Sequence, residues 1–174
     1  MRYAKSLLFL SSLLVAGAGF FPLVRQEPEG EKAEILGVVE EFRRSIRDKD
    51  WSAFETLFLE ADTPWIGTVA EAGRARYEAA GILDDDGLYR VTRAEFQERI
   101  DGRDAVSDEV FERIEIEVVD GFSTLLADYE FVSDGVVKNH GVESWTLVDT
   151  FSGWKIVSVL YSMTPGARPK PGGE

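Results

Sequence analysis

Between Glu112 and Met163 apolar residues recur at alternate positions, and three short polar breaks interrupt them: Asp120-Gly121, Asp134-Gly135 and Ser152-Gly153. A period of two marks strands whose side chains alternate between the two faces of a sheet. Asp-Gly pairs accept the left-handed backbone of tight two-residue turns, so the stretch predicts four antiparallel strands. The residues flanking each turn then pair: Val119 with Phe122, Ser133 with Val136, Phe151 with Trp154. Counting outward sets Tyr129 opposite His140, Ser144 opposite Tyr161 and Trp145 opposite Leu160. One face collects Ile114, Ile116, Leu125, Ala127, Tyr129, Val142, Val148, Val157 and Tyr161, with His140 and Ser144 as polar members. The other is acidic near one edge (Glu115, Glu117, Asp128, Glu130) and apolar towards the other (Phe122, Leu126, Trp145, Leu147, Ile156, Leu160). An apolar second face needs a second cover. A bulge at Gly141 would turn His140 to the opposite face.

Upstream the period changes. Ile35, Val38, Val39, Phe42 and Ile46 repeat at three- and four-residue steps, which predicts a helix over 33–48. Asp50 caps a second helix, Trp51 to Leu59, with Phe54, Leu57 and Phe58 inward. Thr63 to Val69 reads as a short strand carrying Trp65, and Glu71 to Ala80 as a helix ending at Gly81. Asp84-Asp85-Asp86-Gly87 is a turn without the alternating oxygens of a calcium loop. Thr92 and Glu95 form a capping box for a helix bearing Phe96 and Ile100.

Charge narrows the partners. With 19 Lys and Arg against 32 Asp and Glu, the net charge is −13, which opposes binding to a phosphate backbone. There is no cysteine, so disulfides, zinc thiolates and thiol nucleophiles are excluded. Residues 1–18 have the layout of a secretory signal: Arg2 and Lys5, the apolar run Leu7 to Val15, then Ala16-Gly17-Ala18 as an A-x-A site. Export to the periplasm or medium follows, with no membrane association after cleavage. The alternative is an uncleaved N-terminal anchor, since Phe20, Phe21 and Leu23 prolong the apolar stretch. Residues 19–32 read as a linker and 165–174, with three Pro and three Gly, as a disordered tail.

Two helices joined by Asp48-Lys49-Asp50-Trp51, followed by Leu57-Phe58, resemble the opening of the nuclear transport factor 2-like superfamily. The run Ser144-Trp145-Thr146-Leu147, then Gly153-Trp154-Lys155-Ile156-Val157 and Tyr161-Ser162, resembles its last hairpin, above all in the polyketide-cyclase-like (SnoaL-like) branch. The resemblance spans residues 33–164. It implies an α+β fold, a curved antiparallel sheet wrapped around N-terminal helices as a cone-shaped, cystatin-like roll. It also implies a conical pocket and a homodimer through the sheet. The superfamily holds isomerases, dehydratases, cyclases and non-catalytic modules, and no catalytic signature of these maps onto the chain. Fold alone therefore assigns no function.

Six residues are candidates for the site. His140, the only histidine, faces Tyr129 in the predicted register, and such a pair could act as acid and base. The plainer reading is a histidine whose hydrogen bonds are simply satisfied. Trp65 and Asp62 follow the second helix and would line a pocket mouth, although Asp62 ahead of Pro64 also suits a turn. Ser144 and Tyr161 would complete a ligand-binding wall. Without a phosphate loop, a nucleophile elbow or a His-Glu-x-x-His run, neither cofactor nor metal is expected. Three functions stand open. The first is an exported module holding a small apolar or amphipathic ligand. The second is a cofactor-independent isomerase, dehydratase or cyclase using His140 and Tyr129. The third is an interaction domain using the outer sheet face. A homodimer would form through that face, around Trp145, Leu147 and Leu160.

Overall fold

Both Asp-Gly pairs adopt the conformation their chemistry favours. Asp120 and Gly121 have φ of 51° and 76°, Asp134 and Gly135 φ of 51° and 72°. Positive φ at both central residues is the type I′ turn, whose twist matches that of the flanking strands. The computed structural model describes residues 29–169. The proposed signal at 1–18, the linker up to residue 28 and the tail from residue 170 lie outside the described residues.

Helix α1 (Glu29–Asp48) and the short α2 (Trp51–Thr56) come first. They are followed by β1 (Pro64–Val69), α3 (Glu71–Ala79), β2 (Leu88–Thr92) and α4 (Arg93–Asp101). Four long strands close the chain: β3 (Ser107–Val119), β4 (Phe122–Ser133), β5 (Val136–Thr150) and β6 (Gly153–Pro165). Together the strands make one curved sheet in the order β2-β1-β6-β5-β4-β3. Only the β1–β6 pairing is parallel. The α+β class expected from the sequence is thus the observed one. Among the described residues no helix is long and apolar enough to cross a membrane.

Local capping follows the sequence closely. Asp50 accepts from the Ala53 amide at 3.1 Å and starts α2. Thr92 and Glu95 exchange bonds of 2.7 and 3.2 Å in a reciprocal capping box at α4. Arg90 clamps Asp84 and Asp86 at 2.7 and 2.6 Å, so the acidic turn is held by an arginine. Two boundaries differ from expectation. Helix α1 begins at Glu29, taking in the end of the presumed linker. The start of the presumed tail is docked, with Gly166 N donating to Lys138 O and Arg168 donating to Gly141 O at 3.0 Å. Leu88–Thr92, for which the sequence pattern predicts no strand, is an edge strand on β1.

The apolar stripe of α1 packs onto the sheet. Ile35, Val39, Phe42 and Ile46 are buried. Phe42 meets Trp145 at 4.8 Å and Phe54 at 5.5 Å between ring centroids. Burying one such side chain stabilises by about 1.5–3 kcal/mol.

Three bulges alter the register that the turns set. Arg113 on β3, with φ of 49°, is one of two residues opposing a single residue of β4. Lys138 on β5 is the extra residue between the pairs Phe131–Asn139 and Val132–Val137. On β6 Val157 is extra between Thr146–Ser158 and Leu147–Ile156. The last turn also differs: Thr150 pairs with Gly153, so Phe151 and Ser152 form the loop. One extra residue inverts every side chain beyond it. Trp145, Leu147 and Ile156, expected on the outer face, are therefore fully buried beneath α1, while Val142 is exposed and Ser144 and Val148 are half-buried. Trp145 and Leu147 are thus unavailable to a dimer interface.

Candidate functional site

A cavity of about 270 Å³ opens beside this core. Its back wall is the inner face of the long strands: Glu109 from β3, Tyr129 and Phe131 from β4, Asn139 and Glu143 from β5, Tyr161 and Met163 from β6. Trp65, Tyr77, Tyr89 and the α4 residues Phe96, Arg99 and Ile100 close it from the other side. No residue of α1 lines it.

Two close approaches shape the wall. Tyr161 packs over Gly67, where an added Cβ would lie 2.5 Å from the ring. At Gly141 an added Cβ would lie 1.8 Å from the Ser162 carbonyl oxygen. That oxygen accepts the Tyr129 hydroxyl at 3.0 Å, and the Val142 amide bonds the Ser162 hydroxyl instead, also at 3.0 Å. Glycine at 141 thus lets the Ser162 carbonyl serve Tyr129.

Two glutamates share the cavity. Glu109 is 4% exposed and Glu143 2%. The Oε2 atom of each is buried without a hydrogen-bond partner, as is the Trp65 indole nitrogen. Buried polar atoms nearly always find a partner, and carboxylates gain most from one. Burial, then the charges of Glu143 and Asp108, pushes the Glu109 carboxyl well above the usual range. Burial pushes Glu143 up to about 8, with the Trp145 indole drawing it partly back. The hydroxyls of Tyr129 and Tyr161 are raised too, chiefly by burial, then by the two carboxylates at Tyr129 and by Tyr89 ahead of the carboxylates at Tyr161. Among the described residues no set of three or more His, Cys, Asp or Glu side chains is grouped to hold a metal.

At the entrance the charge reverses. A shallow basin adjoins the cavity through Tyr77, Arg103, Phe131 and Asn139, and Arg76 and Lys138 line it. The Arg99 guanidinium bonds the Tyr89 hydroxyl and lies 5.4 Å from its ring centre; Arg103 lies 5.6 Å from that of Phe131.

Of the six residues proposed from sequence, Tyr129, Tyr161 and Trp65 meet on this cavity. His140 does not. The Lys138 bulge pairs it with Glu130, on the face opposite Tyr129, and its Nδ1 lies 2.8 Å from the Gly166 carbonyl. Its place on the opposite face of the sheet from Tyr129 removes the expected acid–base pair. Ser144 lies on the outer face and Asp62 is exposed in the turn before β1. Glu109 precedes the stretch read as strands and Glu143 follows Val142, which the expected register turns inward, so neither stood among the candidates. The signal for Glu143 was available: it alternates with Trp145 and Leu147, a heavier apolar set than Ser144, Thr146 and Val148.

No family model matches the sequence, and no curated protein does. Solved structures do match in fold. A nuclear transport factor 2-like protein from Cytophaga hutchinsonii superposes with a TM-score of 0.56 at 14% identity, over 78% of this chain and 98% of that one. One from Silicibacter pomeroyi, of unknown function, gives 0.55 at 18% identity, over 76% and 94%. A Novosphingobium aromaticivorans protein, described only provisionally as an aromatic ring hydroxylase, gives 0.52 at 14%, over 80% and 90%.

Proposed function

The chain has the fold of nuclear transport factor 2-like proteins, and from that premise we propose that it is a small-ligand-binding module. The carrying observation is the cavity itself, aromatic on its walls and holding two buried glutamates with unpartnered oxygens. A pocket of this kind, with few polar groups among apolar walls, is the usual form of a small-molecule site. The ligand would be amphipathic, its polar end on Glu109 and Glu143 and its body against Trp65, Tyr129 and Tyr161. Calorimetric titration with a panel of small substituted benzenes tests this. Saturable binding that Tyr129→Trp abolishes by filling the cavity is expected; binding that survives would place the ligand elsewhere.

A second reading has one observation behind it. A carboxyl raised to about 8 beside a bound ligand suits proton transfer near neutral pH, so Glu143 takes the acid–base role once given to His140. On this reading Glu143→Gln abolishes turnover while His140→Ala leaves it unchanged. Export remains part of the proposal, supported by the residue 1–18 pattern, with N-terminal sequencing from the native host as its test. A homodimer through the outer sheet face also remains, now centred on the exposed Phe122, Leu126 and Leu160.

A further inference from the structure

The cavity is bipolar: two carboxyl groups lie on its inner wall, and cations gather at its mouth although the chain carries a net −13. We propose that it selects a small zwitterion, with an ammonium group seated on Glu109 and Glu143 and an anionic end facing Arg103 and Lys138. This rests on the reading of the cavity as a ligand pocket and names what that pocket prefers.

The inner half argues for a cation. Both glutamates are more than nine-tenths buried, line the cavity and leave an oxygen unpartnered. A protonated amine supplies three donors and the opposite charge, and charge-assisted hydrogen bonds are the strong ones. Glu143 pairs across the ladder with Tyr161, and the Tyr161 and Tyr129 rings stand edge to face at 6.3 Å. Aromatic faces beside carboxylates also attract an ammonium group. No third His, Cys, Asp or Glu side chain among the described residues joins the acidic pair, and the aromatic lining beside it favours an organic cation.

The outer half argues for an anion. None of Arg76, Arg99, Arg103 and Lys138 forms an ion pair with a described carboxylate, while most other described arginines do. In an acidic protein such a group of cations without carboxylate partners raises the local concentration of anions. Between the two poles lie aromatic side chains, which suits a ring or short apolar spacer.

Three probes sharing one ring test the idea: para-(aminomethyl)benzoate, para-(hydroxymethyl)benzoate and benzylamine, titrated by calorimetry near neutral pH. The zwitterion should bind about tenfold or more tightly than either single-headed probe. Its binding should ionise the glutamates, so the observed heat should vary with the ionisation enthalpy of the buffer. Glu109→Gln and Glu143→Gln should each erase the preference over the hydroxymethyl probe. Arg103→Met with Lys138→Met should erase the preference over benzylamine, and added salt should weaken it. Circular dichroism checks that each variant folds. Equal binding of the zwitterion and the hydroxymethyl probe would overturn the ammonium site yet keep the pocket. Equal binding of the zwitterion and benzylamine would overturn the anionic end. No binding of any probe at about 10 mM would overturn the pocket and the inference together.

Discussion

Strand β5 serves two regions of opposite character. Trp145 and Leu147 enter the packed region under α1, where Phe42, Phe54 and Ile156 are also fully buried. Two residues away, Glu143 enters the cavity, where two buried carboxyl groups have no cationic partner and polar atoms lack hydrogen bonds. The first region stabilises the fold through apolar burial. The second costs stability, because a dry carboxyl resists ionisation and a cavity forfeits packing contacts. The sheet can hold this costly site because a dense aromatic core packs on the same strands.

The largest test of that contrast is Phe42→Ala. It should cost about 3–5 kcal/mol in denaturant unfolding, as a wholly buried ring is lost. A loss below about 1 kcal/mol would mean that the packed region is not the store of stability.

The next concerns the cavity. Glu109 and Glu143 hold their protons more tightly when folded than when unfolded. Their contribution is therefore fully present below the ordinary glutamate range and is lost as pH rises towards about 8. Stability should fall by a few kcal/mol, as an order of magnitude, between mildly acidic and mildly alkaline pH. Glu143→Gln should flatten that profile and raise stability at the alkaline end. A wild-type profile already flat would show that the carboxyls are hydrated.

The smallest effect on the fold belongs to the outer face. Leu160→Glu replaces a half-exposed side chain, so monomer stability should change by no more than about 0.5 kcal/mol. Light scattering should nonetheless show a dimer dissociating. A variant that stays dimeric would move the interface elsewhere.

These regions were unequally legible in the sequence. The α1 stripe, the caps at Asp50 and Thr92 and both Asp-Gly turns depend on neighbours within a few residues, and all formed as read. Tyr129, Phe131 and Leu125 fell on the correct face because β4 starts from a turn and carries no extra residue. The bulges at Arg113, Lys138 and Val157 were invisible, since no glycine or proline marks them. They answer the curvature of the whole sheet, a tertiary demand that local pattern does not encode. Glu143 and His140 exchanged sides for that reason alone.

The Lys138 bulge has an evolutionary reading. A relative lacking that single residue would present the alternate set of β5 side chains to the inner face, with Val142 in place of Glu143 on the cavity and Ser144 in place of Trp145 under α1. Loss of one codon would thus take Glu143 out of the chamber and leave Glu109 as its one glutamate. Alignments that pass through β5 without a gap would then compare residues from opposite sides of the sheet. Such a slip would keep the turns but would also withdraw Trp145 and Leu147 from the core under α1, so the packing against Phe42 would have to be rebuilt with it.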